Sequence, residues 1–200
     1  MSGAALAAGL IRLEPWMTTQ GEDMSDHGTY FLTWTTYGSW LPGDARGWRK
    51  VEGGEQRPQP LLEAWCRDRM RDPSVILNAE QRERVERVCI EHARIRGWWL
   101  HAVSVRSNHV HVVVTADRPP RIVRDQFKAN ATRVLRAEPD ALHAERVWTR
   151  GGDCRIIDGE SSLDAVVRYV LEAQDRKDRD LVDRSHRMDS GQRTDSDHDP

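Results

Sequence analysis

Apolar and polar positions change period several times between residues 30 and 176, and each change marks an element. Tyr30–Phe31–Leu32–Thr33–Trp34–Thr35–Thr36 is rich in β-branched and aromatic residues and reads as a strand, closed by turn residues around Gly38, Pro42–Gly43 and Gly47. Glycine, proline and arginine then recur to Pro73, and the pattern assigns no element there. A helix is predicted from Asn78, where Gln81 three residues on completes a capping box. Val85, Val88, Cys89, His92, Ala93 and Arg96 keep helical spacing until Gly97 stops it. Trp98–Val105 reads as a second strand. Arg106–Ser107–Asn108 turns the chain into His109–Val110–His111–Val112–Val113–Val114, a third.

Pro119–Pro120 opens a second helix running to about Ala137. Short strands follow at Val147–Thr149 and Arg155–Ile157, around Gly151–Gly152. A third helix is expected with Ser161 as its cap and Asp164 at its third position. Strands and helices mixed in this way give an α+β class.

The histidine strand carries the first chemistry. A strand has a period of two, so His109 and His111 share one face while Val110, Val112 and Val114 share the other. Two neighbouring imidazoles form an incomplete metal site that needs a further ligand from elsewhere. His92 sits on an apolar helical stripe and reads as a packed residue instead.

In the second helix, Val123, Phe127, Asn130, Ala131, Val134 and Leu135 form one arc at 100° per residue. Arg121, Arg124, Lys128 and Arg136 form another. That arc, which also holds Thr132, is either only a solvated face or follows a phosphate backbone, with Asp125 interrupting it. The third helix carries Leu163, Val166, Val167, Val170 and Leu171 on its apolar arc. Tyr169 flanks that arc, Gln174 projects into it, and Glu172 points away.

Composition adds limits. The chain has 200 residues and a net charge of −2, but residues 30–174 hold 23 basic and 20 acidic side chains, a mildly basic centre that permits nucleic acid. The three cysteines, Cys66, Cys89 and Cys154, form no C-x-x-C pair. Neither a disulfide framework nor a zinc knuckle is indicated, and a cytoplasmic location is expected. The apolar run Ala4–Ile11 is too short to span a bilayer. Residues 1–29 are expected to be a flexible extension and 177–200 a disordered polar tail, with one domain at 30–176. Met24 is an alternative start. Within residues 38–73, Trp40, Trp48, Arg46, Arg49 and Lys50 form either a base-stacking surface or a packed lid.

The block Asn108–His111, followed by Tyr169 near the end of the domain, resembles the single-tyrosine HUH transposases of the insertion-sequence-200-like family. Thr33–Asp44, Val147–Gly152 and Tyr169–Gln174 resemble a branch of it, and together the blocks cover residues 30 to 176 in order. The resemblance implies a ferredoxin-like HUH endonuclease fold with a central antiparallel sheet. It implies Mg²⁺ or Mn²⁺ on His109 and His111, and Tyr169 as the nucleophile. That nucleophile would cut single-stranded DNA near hairpins through a 5′-phosphotyrosine, in a homodimer. In the family the third ligand follows the tyrosine by one helical turn, which here is Ala173; Gln174 lies one residue further and Glu172 one short. The angular reading favours Gln174, which meets Tyr169 if the helix overwinds or unwinds there or if Tyr169 swings in when DNA binds; the alternative is a degraded, inactive site. Two other readings remain. A His-x-His-x-His nucleotide hydrolase lacks its third histidine, because position 113 is Val. A non-catalytic DNA-binding protein on the same fold is the other.

Overall fold

A computed structural model of the chain describes residues 27–50, 54–137 and 141–173. Four strands form the main sheet: β1 (Gly28–Thr35), β4 (Trp99–Val105), β5 (His109–Ala116) and β6 (Asp153–Ile156), in the order β4–β5–β1–β6. Every neighbouring pair is antiparallel. Helix α2 (Ala79–Arg96) links β1 to β4, and α3 (Pro120–Leu135) links β5 to β6. Two interleaved β–α–β units in this order are the ferredoxin-like arrangement. An insertion between β1 and α2 adds a hairpin, β2 (Trp48–Lys50) with β3 (Gly54–Gln56), and helix α1 (Pro60–Asp68). The last helix, α4 (Glu160–Arg168), runs on as a π-helical turn over Tyr169–Ala173.

Strand alternation divides the sheet into two faces. Leu32 and Trp34 of β1, with Val110, Val112 and Val114 of β5, turn to one face and are buried under α2 and α3. Val85, Cys89 and Ala93 of α2 and Val123, Phe127, Ala131 and Leu135 of α3 complete that core. The opposite face carries Phe31, Ala102 and Val113, which seat Leu163, Val166, Val167 and Val170 of the last helix.

The local signals act as expected in α2. Asn78 accepts from the Gln81 backbone N–H at 2.8 Å, and the Gln81 side chain accepts from Asn78 N–H at 3.1 Å. Gly97 ends the helix with φ +68°, a left-handed conformation that glycine adopts without a Cβ penalty. His92 is indeed packed. Its ring meets Trp98 and Phe127 edge-on, its nitrogens pair with Gln126 and Asn130, and burial lowers its pKa.

Several expectations change. Ser161 is not the cap of the last helix; Gly159 occupies that position and Ser161 lies inside the first turn. The Val147–Thr149 strand shrinks to one bridge, Thr36 to Trp148, and the next strand begins earlier, at Asp153. The insertion holds ordered elements where the pattern assigned none. Its α1 carries Leu61, Leu62, Trp65 and Cys66 at helical spacing, a pattern the reading passed over, although the helix buries none of its residues. Among the described residues no helix is long and apolar enough to cross a membrane.

Phe127 is fully buried between α2 and the sheet. Phe127→Ala should cost about 3–5 kcal/mol, read as a lower urea midpoint with an unchanged slope.

Candidate active site

The register of β1 against β5 builds the site. Thr33 lies opposite His111 and Thr35 opposite His109, all four on the face away from the α2–α3 core. The two imidazole rings lie 4.8 Å apart, centroid to centroid. The His109 Nδ1–H donates to Asn108 Oδ1 at 2.7 Å. This fixes the ring and makes Nε2 the lone-pair nitrogen of the neutral imidazole. His111 Nδ1 and Thr33 Oγ1 share a hydrogen bond of 2.9 Å, and Phe31 stacks on the His111 ring at 5.4 Å. Both histidines therefore use Nδ1 for orientation, as metal-ligating imidazoles commonly do.

Asn108 is itself pinned. Its carbonyl accepts from Thr36 N–H at 2.8 Å, from Thr36 Oγ1 at 3.2 Å and from Ser39 Oγ at 3.2 Å.

Tyr169 enters from the last helix. Val170 beside it is fully buried against Ala102 and Val113, and this anchors the turn to the sheet. The Tyr169 ring lies 6.2 Å from the His111 ring and 6.3 Å from Phe31, edge-on to both, and stays 36% exposed. A phenol thus stands edge-on beside the His111 ring with access from outside. Leu171 and Glu172 are exposed. Gln174 lies outside the described residues.

The helix does depart from α geometry at the tyrosine. A π turn pairs residue i with i+5 and carries one extra residue per turn, a local widening found often at functional sites. Among the described residues no third His, Cys, Asp or Glu joins the histidine pair in a metal-sized cluster. Two oriented imidazoles fit a divalent ion whose remaining positions are filled by oxygen donors.

The expected basic arc of α3 needs correction. Arg124 is not solvated: it is 7% exposed and donates to the Gly152 carbonyl at 3.0 Å and to Asp125 at 2.9 Å. Lys128 is half-buried, donating to the carbonyls of Thr149 and Gly151, each at 2.8 Å, and burial lowers its pKa. The angular reading allowed α3 one packed side. The segment 149–154 wraps its other flank, and the carbonyls of that segment need donors. Gly152, at φ +137°, makes the wrap possible: a Cβ there would stand 2.5 Å from the Thr33 carbonyl oxygen. The segment reaches the site through Thr149, whose hydroxyl bonds Thr35 Oγ1 at 2.9 Å. Arg121 and Arg136 are exposed, and Arg136 donates to the Glu145 carbonyl at 2.9 Å.

Thr33 and Asn108 are the orienting residues that a residue-by-residue reading missed. The alternation of β1 places Thr33 on its polar face, but only the pairing register puts it beside His111.

A ferredoxin-like sheet with an oriented histidine pair on its inner strand and a tyrosine facing that pair is the architecture of an HUH endonuclease. The family described as "Transposase IS200 like" matches residues 69–173, and the chain belongs to it. Among solved structures, the chain is similar to a REP-associated tyrosine transposase bound to a REP hairpin. The identity is 15%, covering 77% of this chain and 70% of that one, with a TM-score of 0.44. A candidate transposase from Deinococcus radiodurans R1 is similar at 16% identity, covering 78% of this chain and 98% of that one, with a TM-score of 0.41. No curated protein matches the chain.

Arg124→Met should lower stability by about 1–3 kcal/mol, because it strips a buried carbonyl of its donor. It should leave the salt slope of DNA binding unchanged, since the guanidinium is turned to Gly152. Urea unfolding and a salt titration read the two effects; full stability with a flattened slope would return Arg124 to the DNA surface.

Proposed function

We propose that the chain is a transposase that cuts and rejoins single-stranded DNA at hairpin-flanked sites through a 5′-phosphotyrosine on Tyr169. The observation that carries this reading is the convergence of Tyr169 on the His109–His111 pair, with both rings oriented through Nδ1. A hydrolase would activate water. A phenol placed here instead forms a covalent intermediate that keeps the phosphodiester energy for rejoining.

In the cutting step Tyr169 Oη bonds to phosphorus as the P–O3′ bond breaks. The phenolic proton leaves and the departing 3′ oxygen gains one, so one phosphodiester replaces another. Rejoining is the reverse, with a different 3′-hydroxyl attacking the phosphotyrosine. His109 and His111 would hold Mg²⁺ or Mn²⁺ through Nε2, and such an ion polarises the scissile phosphate and stabilises the leaving oxygen. Gln174 is the proposed third protein ligand; it follows directly on the turn Tyr169–Ala173 and lies outside the described residues. Asn108 and Thr33 keep the rings in place. Arg121 and Arg136 are the remaining candidates of α3 for phosphate contact, whereas Arg124 and Lys128 hold the 149–154 segment. The folded unit is residues 30–176, acting as a homodimer.

Two experiments test the reading. A His109→Ala/His111→Ala variant should bind a hairpin-bearing single strand yet cut it below detection, as should wild type in excess chelator. Undiminished cutting under chelation would remove the metal from the mechanism.

Tyr169→Phe should keep fold and DNA affinity while losing the covalent adduct. With the strand labelled 3′ of the cut, denaturation and peptide mapping should place the adduct of the wild type on Tyr169. An adduct on Tyr30 or Tyr37 would overturn the assignment. A folded, DNA-binding wild type that never cuts would favour the non-catalytic reading.

A further inference from the structure

The insertion between β1 and α2 presents a tryptophan that the chemistry above does not use. Trp40 is 47% exposed, yet its indole is not loose. Its Nε1–H donates to the Gly47 carbonyl at 2.7 Å, so the polar handle is satisfied within the loop. The Arg46 guanidinium lies over the ring, 4.8 Å from its centroid. Arg46 cannot swing away, because Asp44 holds it through two oxygens at 2.8 and 2.6 Å and the Ser39 carbonyl accepts from it at 2.8 Å. Asp44 is itself buried, and its hydrogen bond to Arg46 lowers its carboxyl pKa. The result is a held, solvent-facing aromatic plane, backed on one side by a guanidinium whose charge Asp44 balances.

Its place in the fold matters as much as its chemistry. Ser39, the residue before Trp40, bonds the carbonyl of Asn108, the residue before His109. The loop is thereby fastened to the strand that carries the histidine pair. An exposed indole held this firmly has little rotamer freedom left to lose when a planar partner arrives. A planar unpaired base is complementary to the side of the indole that Arg46 does not cover.

We propose that Trp40, backed by Arg46, is a stacking platform for an unpaired base of single-stranded DNA next to the phosphate held at His109 and His111. The ligand class rests on the function proposed above. A duplex base does not fit, because its faces are already stacked on its neighbours. The platform would favour strands that present an unpaired base there, and it would contribute to substrate choice without reading a base edge.

The test compares two labelled strands of equal length and equal phosphate number, a thymidine homopolymer and an abasic homopolymer, by fluorescence anisotropy with the full chain. Wild type should bind the thymidine strand about tenfold more tightly or better, the scale of one base–aromatic stack. Trp40→Ala should lose most of that preference while its affinity for the abasic strand stays the same. Equal weakening on both strands, or no change on either, overturns the proposal. An altered sedimentation coefficient with both affinities intact would put a second copy of the chain on the ring, and overturns it too.

A second measurement needs no variant. Wild type irradiated with a strand containing 5-iodouracil should give a crosslink that maps to Trp40; crosslinks confined to other residues overturn the platform. The two readings fail separately. Base preference without a tyrosine adduct refutes the nuclease alone, and an active enzyme whose Trp40→Ala variant keeps its preference refutes the platform alone.

Discussion

Side-chain alternation along β5 sets both the core and the site. Val110, Val112 and Val114 are fully buried under α2 and α3, while His109 and His111, alternating with them, face the other way. A shift of one residue in its pairing with β1 would push both imidazoles into the core and expose the valines. Each fully buried valine contributes on the order of 1.5–3 kcal/mol by apolar transfer, so the core itself enforces the register of the site. Histidine geometry and fold stability are thus one constraint, and Thr33 comes to His111 by the same pairing.

The segment that wraps α3 applies a second constraint. Arg124 and Lys128 are cations turned inward, and they tie down the carbonyls of residues 149, 151 and 152. Thr149 passes that tether to Thr35, which lies opposite His109. Charges that a helical wheel places on a solvated face here shape the floor of the site. Their loss would act on the site by loosening this segment.

The tyrosine arrives by a third route. Val170 fixes the last helix to Ala102 and Val113, and the π turn begins at the neighbouring residue. Widening the helix there changes which later residues share a face with Tyr169. Such a turn departs from the i→i+4 bonding of the helix before it, and Val170 packs it on the sheet.

Much of the secondary structure and one half of the site are legible within single short segments. The capping box at Asn78 and Gln81, the stop at Gly97, the same-face histidines and the α+β order of elements are all local patterns, set by backbone sterics and side-chain period. The family motifs were legible for the same reason, since each lies within one short block. Tertiary structure alone decided the partners across elements. It made Thr33 the neighbour of His111, and it turned Arg124 and Lys128 inward against a segment more than twenty residues away. It also decided that α1, with Leu61, Leu62, Trp65 and Cys66 at helical spacing, buries none of them. The π turn belongs to this second group, because a one-residue change of helical repeat leaves no mark in composition. Local period says which way a side chain points, whereas what it meets there depends on chain segments that only folding brings together.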